Sequence, residues 1–392
     1  MKNWSFDTIV NREQSGCRKW DGRKNVFGTD DVLPMWIADM DFQSPPAVIE
    51  ALKKCAAHGV YGYPLQSDAY YSAIMNWMEQ RYGCPVEREW ILDTPGVVPA
   101  INLAIQAFTR PCDKIVIQPP VYPPFYSSIV KNRRQVVENP LVVEDGRYVM
   151  DFRDLEKKMQ LGIKMIILAS PHNPVGRIWT KEELQTLANL CLRYNVLILS
   201  DEIHGDFVFK GHRYIPMRSM SPEIARSTIT CIAPSKSFNI AGLKTAATII
   251  SNRKLRELFR DALEAVHISD GNIFGIAALE AAYRHGGDWL DALQTYLEEN
   301  SNFLAQFIKN NIPDIRMIKP EGTYLAWLDC RALGLSQTEL RDFFVQKARV
   351  GLNDGLAFGK QGEGFMRLNF GCPRETLCDG LERIANAVKS RR

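Results

Sequence analysis

The 392-residue chain is expected to adopt an α/β fold, with a mainly parallel sheet of seven strands in a large lobe and a smaller α+β lobe after it. Three observations predict this. Between Ile91 and Ile250, short apolar runs alternate with longer amphipathic stretches, as in parallel sheets covered by helices on both faces. After Arg253 the pattern turns helical for a long stretch. It then returns to short strands at Thr323–Leu328 and Gly364–Asn369, closed by a helix from about Arg374. Finally, Asn173, Asp201 and Lys236 each stand just past an apolar run, at the strand ends where open α/β sheets bind ligands.

The elements follow in order. Residues 1–45 read as irregular and rich in Trp, Gly and Asp. Pro46 to His58 reads as a helix, with Gly59 as its stop. The strand candidates are Ile91–Asp93, Lys114–Gln118, Gln135–Glu138, Met165–Ala169, Val196–Ser200, Thr228–Ile232 and Thr245–Ile250. Thr180-Lys181-Glu182-Glu183 is a capping box opening a helix that runs to Tyr194. There is no low-complexity linker and no internal repeat, so the lobes should pack closely.

Composition narrows the function. The 48 basic residues nearly balance the 45 acidic ones, and no basic run interleaved with aromatics points to nucleic acid. Apolar runs such as Met165 to Ala169 are too short to span a bilayer, and Met1 to Asp7 carry no hydrophobic leader. Nine cysteines without a Cys-x-x-Cys pair fit buried thiols in a reducing, cytoplasmic setting rather than disulfides or a zinc site, and no metal is expected.

The most informative run is Ala233-Pro234-Ser235-Lys236-Ser237-Phe238-Asn239-Ile240-Ala241-Gly242-Leu243-Lys244, which reads as a loop after a strand. A partly desolvated lysine there loses its proton readily and can attack a carbonyl. Taken alone, Lys236 is equally a surface loop lysine, Asp201 a helix cap and Asn173 a turn former before Pro174.

The ordered set Asn173, Asp201, Lys236 and Arg367 resembles the fold-type I pyridoxal-phosphate (PLP) enzymes, the class I/II aminotransferase superfamily, over nearly the whole chain. Finer matches point to its cystathionine β-lyase (C–S lyase) branch of MalY/PatB type. These are Met35-Trp36-Ile37-Ala38-Asp39-Met40-Asp41-Phe42, Pro95-Gly96-Val97-Val98-Pro99, Asp201-Glu202-Ile203-His204, Lys236-Ser237-Phe238-Asn239 and Arg367-Leu368-Asn369-Phe370-Gly371-Cys372-Pro373-Arg374. The resemblance implies an aspartate-aminotransferase-like fold. Residues 1–45 would form an N-terminal arm and part of the small domain, 46–285 the large PLP-binding domain and 286–392 the small C-terminal domain. It also implies a homodimer with shared active sites.

Site roles follow from the same resemblance. Lys236 would form the Schiff base with PLP and then remove the substrate α-proton. Asp201 would pair with the pyridine nitrogen, Asn173 with the phenolic oxygen, and Tyr122 would stack on the ring. The amides of Val97 and Val98 would meet the phosphate at a helix start. Many relatives place a serine three before the lysine and an arginine eight after it. This chain has Ala233 and Lys244, so Ser235 or Lys244 would compensate. His204 stands where aminotransferases of the superfamily usually carry tyrosine, a departure that favours the lyase branch. Tyr63 would reach the neighbouring subunit's phosphate, with Tyr61 the alternative. Arg367 would grip the α-carboxylate from a half-buried strand, and Trp36, Ala38 and Tyr324 would shape the substrate pocket. The implied reaction is α,β-elimination from L-cystathionine or another cysteine S-conjugate, giving a thiol, pyruvate and ammonia. The rivals are an aminotransferase, which differs only in the fate of the α-carbanion, and a regulatory binding protein that retains the PLP fold.

Overall fold

The seven apolar runs of the first large segment assemble into one sheet. Its strands are β1 (Ile91–Thr94), β2 (Lys114–Ile117), β3 (Gln135–Glu138), β4 (Ile163–Ala169), β5 (Leu197–Asp201), β6 (Thr228–Ile232) and β7 (Ala246–Ile249). Their spatial order is β1-β7-β6-β5-β4-β2-β3. Only β7 runs against its neighbours, β1 and β6; every other pairing is parallel. The computed structural model describes residues 4–268 and 270–391; residues 1–3, where the leaderless start was read, lie outside them.

Alternation along the central strands explains why both faces are apolar. Ile115, Ile117, Met165 and Ile167 share one cluster with Ile101 and Phe259. Val116, Ile166, Leu168 and Ile198 point the other way and pack with Leu184 and Leu187. Helices Val97–Phe108 and Arg253–Ala265 cover the first face, and helix Lys181–Arg193, started by the Thr180–Glu183 capping box, covers the second. Helix Pro46–His58 ends at Gly59 in the left-handed region.

Two strand-end expectations shift by a step. Asp201 is the last residue of β5 rather than just past it, because its neighbours Ala169 and Cys231 extend the ladder on both sides. Lys236 lies in a helical turn, Pro234–Ser237, rather than a loop. Pro234 opens that turn, and Phe238 N–H closes it on the Pro234 carbonyl at 2.9 Å.

Helix Gly287–Asn311 leads into a second, antiparallel sheet, that of the small lobe. Its strands are β8 (Arg316–Ile318), β9 (Leu325–Asp329), β10 (Asn353–Asp354) and β11 (Phe365–Asn369), in the order β8-β9-β11-β10. All of β11 is buried, so the half-buried strand expected around Arg367 is corrected: helix and arm cover both of its faces. The arm is less irregular than expected. It holds helices Arg18–Asp21 and Arg23–Phe27, and Leu33–Pro34 pairs in parallel with Val350–Gly351 of the small lobe. The nine cysteines are unpaired; five are buried, but Cys112 is exposed. Among the described residues, no helix is long and apolar enough to cross a membrane.

The lobes meet along a zipper of backbone bonds. Glu321 N–H donates to the Gly176 carbonyl at 2.8 Å, Phe209 N–H to Glu321 at 2.9 Å, and Thr323 N–H to Phe207 at 3.1 Å. A Cβ on Gly322 would sit 2.1 Å from the Phe207 carbonyl oxygen, so the approach requires glycine. We predict that Gly322→Ala lowers stability by about 1–3 kcal/mol, the usual cost of overpacking a tight contact. The check is the urea midpoint; an unchanged midpoint would show that the contact yields freely.

Candidate active site

The site is organised by the irregular segment Met35 to Phe42, which bonds to one lobe and then to the other. On the small-lobe side, Asn369 N–H donates to Met35 O at 2.9 Å, and its side-chain amide donates to the carbonyls of Ile37 (2.5 Å) and Asp39 (2.6 Å). On the large-lobe side, the Asn239 amide donates to Met40 O (2.8 Å) and Phe42 O (2.7 Å) and accepts from Met40 N–H at 3.0 Å. Asn239 does so from a left-handed backbone at φ 56°, a conformation asparagine tolerates better than most residues. Below the segment, Asp41 receives Lys19 Nζ at 2.7 Å, an Arg12 nitrogen at 2.6 Å and Trp20 Nε1 at 3.1 Å. Burial works to raise the Asp41 carboxyl, but Lys19 and Arg12 outweigh it and hold it below the usual carboxylate range.

Above this segment lies a cavity of about 650 Å³ at the C-terminal edge of the sheet. Register places Asp201 level with Ala169 and Cys231, so Asn173, Asp201 and Lys236 arrive at one wall from three adjacent strands. Lys236 Nζ donates to the Ala38 carbonyl at 2.6 Å. Arg367 enters from β11, donating to Asn173 Oδ1 (2.9 Å), Asn353 Oδ1 (2.6 Å) and the Trp36 carbonyl (2.9 Å), with its guanidinium 4.9 Å from the Phe358 ring centre. The structure brings Trp36, Ala38, Val97, Val98, Tyr122, His204, Ser235 and Lys244 together along the same cavity.

Burial tunes the charged groups in opposite directions. It pushes the Asp201 carboxyl up to about 7, against an Ile203 N–H bond and Lys236 that pull it down. It pushes the Lys236 amine down to about 8, with Asp39 opposing, and Arg367 down to about 10. His204 falls to about 3, through burial first and then the charges of Lys236 and Arg367, so its ring is neutral. Two buried nitrogens here, His204 Nδ1 and Arg367 Nε, have no hydrogen-bond partner among the described residues. Unsatisfied buried polar atoms of this kind are costly unless a ligand completes them. Gly96, at φ 141°, starts helix Val97–Phe108 without a side-chain cap, leaving the first-turn N–H groups to an anion. The arrangement suits a flat, anionic ligand with an aldehyde for Lys236 and a basic ring nitrogen for Asp201.

Two expected residues lie elsewhere. Tyr63 is 99% exposed and borders a separate groove. Tyr324 is fully buried beneath the cavity, donating from its hydroxyl to the Ala38 carbonyl at 2.9 Å, so it positions the segment rather than lining the pocket. Sequence reasoning missed Arg18, Asn353 and Phe358 at the cavity wall. None stands in a recognisable motif. It also gave no role to Asn239, although the residue lies within the quoted Lys236-Ser237-Phe238-Asn239 run.

Comparison with known proteins decides the family. The profile of the aminotransferase class I and II family matches residues 30–384. The chain belongs to that family. It is 46% identical to cystathionine beta-lyase PatB of Bacillus subtilis over 385 residues, covering 98% of this chain and 100% of the relative. Among solved structures, it resembles cystalysin from Treponema denticola, which contains a pyridoxal 5'-phosphate cofactor. That match has TM-score 0.96 and 36% identity, covering 100% of both chains. It also resembles the PLP-bound C-S lyase from Staphylococcus hominis, with TM-score 0.91 and 33% identity over 98% of each chain. The aspartate-aminotransferase-like fold is thereby confirmed.

A depressed lysine gives a direct test. Below about pH 8 Lys236 is an ammonium and cannot attack a carbonyl; above it, the free amine can. In protein stripped of small molecules, we predict that reductive methylation of Lys236, followed by mass spectrometry, rises with pH around a midpoint of about 8. A midpoint at the ordinary 10.5 would contradict the desolvated site.

Proposed function

We propose that this cavity carries out α,β-elimination on L-cystathionine and related cysteine S-conjugates, releasing a thiol, pyruvate and ammonia. The carrying observation is the convergence of Lys236, Asp201, Asn173 and Arg367 on one cavity, in a chain so similar throughout to a cystathionine beta-lyase. The enzyme is a PLP-dependent carbon–sulfur lyase. Bound PLP supplies an electron sink for the pair left on the α-carbon when its proton is removed.

The chain's own residues do the rest. Lys236 would hold the cofactor at its aldehyde and would take the α-proton at Nζ; a basicity near 8 suits that proton transfer. Asp201 would face the ring nitrogen. Burial raises its carboxyl to about 7, so a protonated ring nitrogen would favour its ionised form and be favoured by it in turn. Asn173 and His204 would serve the phenolic oxygen side, and Tyr122 would pack on the ring. Val97, Val98, Ser235 and Lys244 would receive the phosphate, with Lys244 acting as a point charge rather than a fork. Arg367 holds the α-carboxylate, while Ala38 and Trp36 bound the space for the rest of the substrate. The neutral His204 where aminotransferases usually have tyrosine supports elimination over transamination.

We further propose a homodimer. Val60, Tyr63 and Leu65 are 67%, 99% and 85% exposed beside a groove of about 720 Å³, an apolar face that a second copy would cover. On that reading Tyr63, or Tyr61, reaches the neighbour's phosphate. Nine unpaired cysteines support a cytoplasmic setting. We keep the lobe limits at 1–45, 46–285 and 286–392. The Gly286-Gly287 junction between two helices supports the second boundary.

Incubation with L-cystathionine should release pyruvate and thiol far faster than an amino acid plus a keto acid yields new amino acid. The opposite ranking would make the protein an aminotransferase. Arg367→Lys should lower kcat/KM for both reactions together by roughly 30-fold to 150-fold, since it removes a bidentate carboxylate contact worth about 2–3 kcal/mol. Tyr63→Phe should weaken PLP retention on dialysis while light scattering still reports a dimer. An active monomer would contradict shared sites.

A further inference from the structure

The cavity holds one base more than its proposed chemistry uses. Arg18, Lys236, Lys244 and Arg367 line it, against a single acid, Asp201. Lys236, Lys244 and Arg367 have partners in the cofactor and the α-carboxylate. Arg18 has none, and among the described residues no carboxylate pairs with it. It is exposed and yet lines the cavity, which puts it at the mouth, and its charge reaches the Tyr122 hydroxyl.

Its backbone is tied down although its side chain is free. The carboxylate of Asp21 accepts the N–H groups of Gln14 (2.8 Å), Gly16 (2.7 Å) and Cys17 (3.2 Å). The adjacent Lys19 is buried in its pair with Asp41, and its carbonyl accepts Trp36 Nε1 at 3.0 Å. The segment is therefore braced against the floor of the site, and only the Arg18 guanidinium is left over.

We propose that Arg18 sets leaving-group preference by holding an anionic group on the thiol half of the substrate, an inference that rests on the lyase reading above. With the α-carboxylate on Arg367 and the α-carbon at Lys236, the sulfur-side chain is left the mouth of the cavity. The substrate class is cysteine S-conjugates whose thiol half carries a carboxylate. Cystathionine belongs to it; simple S-alkyl cysteines do not.

The test compares wild type, Arg18→Gln and Arg18→Lys as PLP-loaded full chains. The substrates are L-cystathionine, S-(2-carboxyethyl)-L-cysteine and the neutral S-propyl-L-cysteine. In Arg18→Gln, KM for the two carboxylate-bearing substrates should rise about fivefold, the upper end for an exposed ion pair. Values for the neutral one should stay unchanged, and Arg18→Lys should recover most of the difference. Added salt should raise the wild-type KM for the acidic substrates only. An equal loss on acidic and neutral substrates overturns the proposal. So does loss of bound PLP absorbance in Arg18→Gln, which would assign the arginine to the cofactor's phosphate. If wild type releases thiol from none of the three, the lyase reading itself fails and the proposal falls with it.

Discussion

The Ala38 carbonyl oxygen accepts Lys236 Nζ at 2.6 Å from the large lobe and Tyr324 Oη at 2.9 Å from the small lobe. Everything that makes the cavity a site depends on that oxygen being where it is. The segment around it pairs with no strand from Met35 to Phe42, so the backbone groups that isolated backbone bonds such as Asp41 N–H to Gly371 O leave over must be satisfied by side chains. Asn239 and Asn369 do this from opposite lobes, using an amide that can donate and accept at once. The Asp41 carboxylate, held between Lys19 and Arg12, fixes the segment from below. A movement of one lobe against the other would pull on both asparagines and so shift the acceptor of the lysine.

A second layer of buried polar groups lies behind the catalytic wall. Glu202 accepts from Ser200 Oγ (2.8 Å), Met217 N–H (3.0 Å) and Tyr214 Oη, while Asp206 accepts from Ser237 Oγ and Tyr82 Oη and pairs with Arg81. Ser237 is the neighbour of Lys236, and Glu202 the neighbour of Asp201. The two reactive residues are thus set at fixed points by bonds one position away, which is how a preorganised site keeps its geometry without paying for it during reaction.

Much of this was legible because strands buried on both faces must be apolar throughout, and such runs stand out between amphipathic helices. The reactive residues were legible because each terminates such a run. Position by single residues was less so. Asp201 was placed one step past its strand because ladder length depends on what the neighbours do, and Arg367 on a half-buried strand because that strand does not reveal the arm that covers it. Tyr324 was misplaced by a layer, since a tyrosine hydroxyl can reach the site's backbone without its ring facing the cavity. Arg18 left no trace in the pattern at all; a short helix in an irregular arm has no periodicity to read.

The surroundings of Arg367 have a consequence for discrimination. Its three acceptors, two amide oxygens and a backbone carbonyl, are all uncharged. In the proposed role an incoming carboxylate therefore evicts no resident anion and meets a cation whose charge is still unmatched. An amine lacking that carboxylate would seal the guanidinium beneath it with no counter-charge, and burial already weighs against that cation. Rejection of decarboxylated look-alikes would then come from the penalty they incur, not from any contact they fail to make.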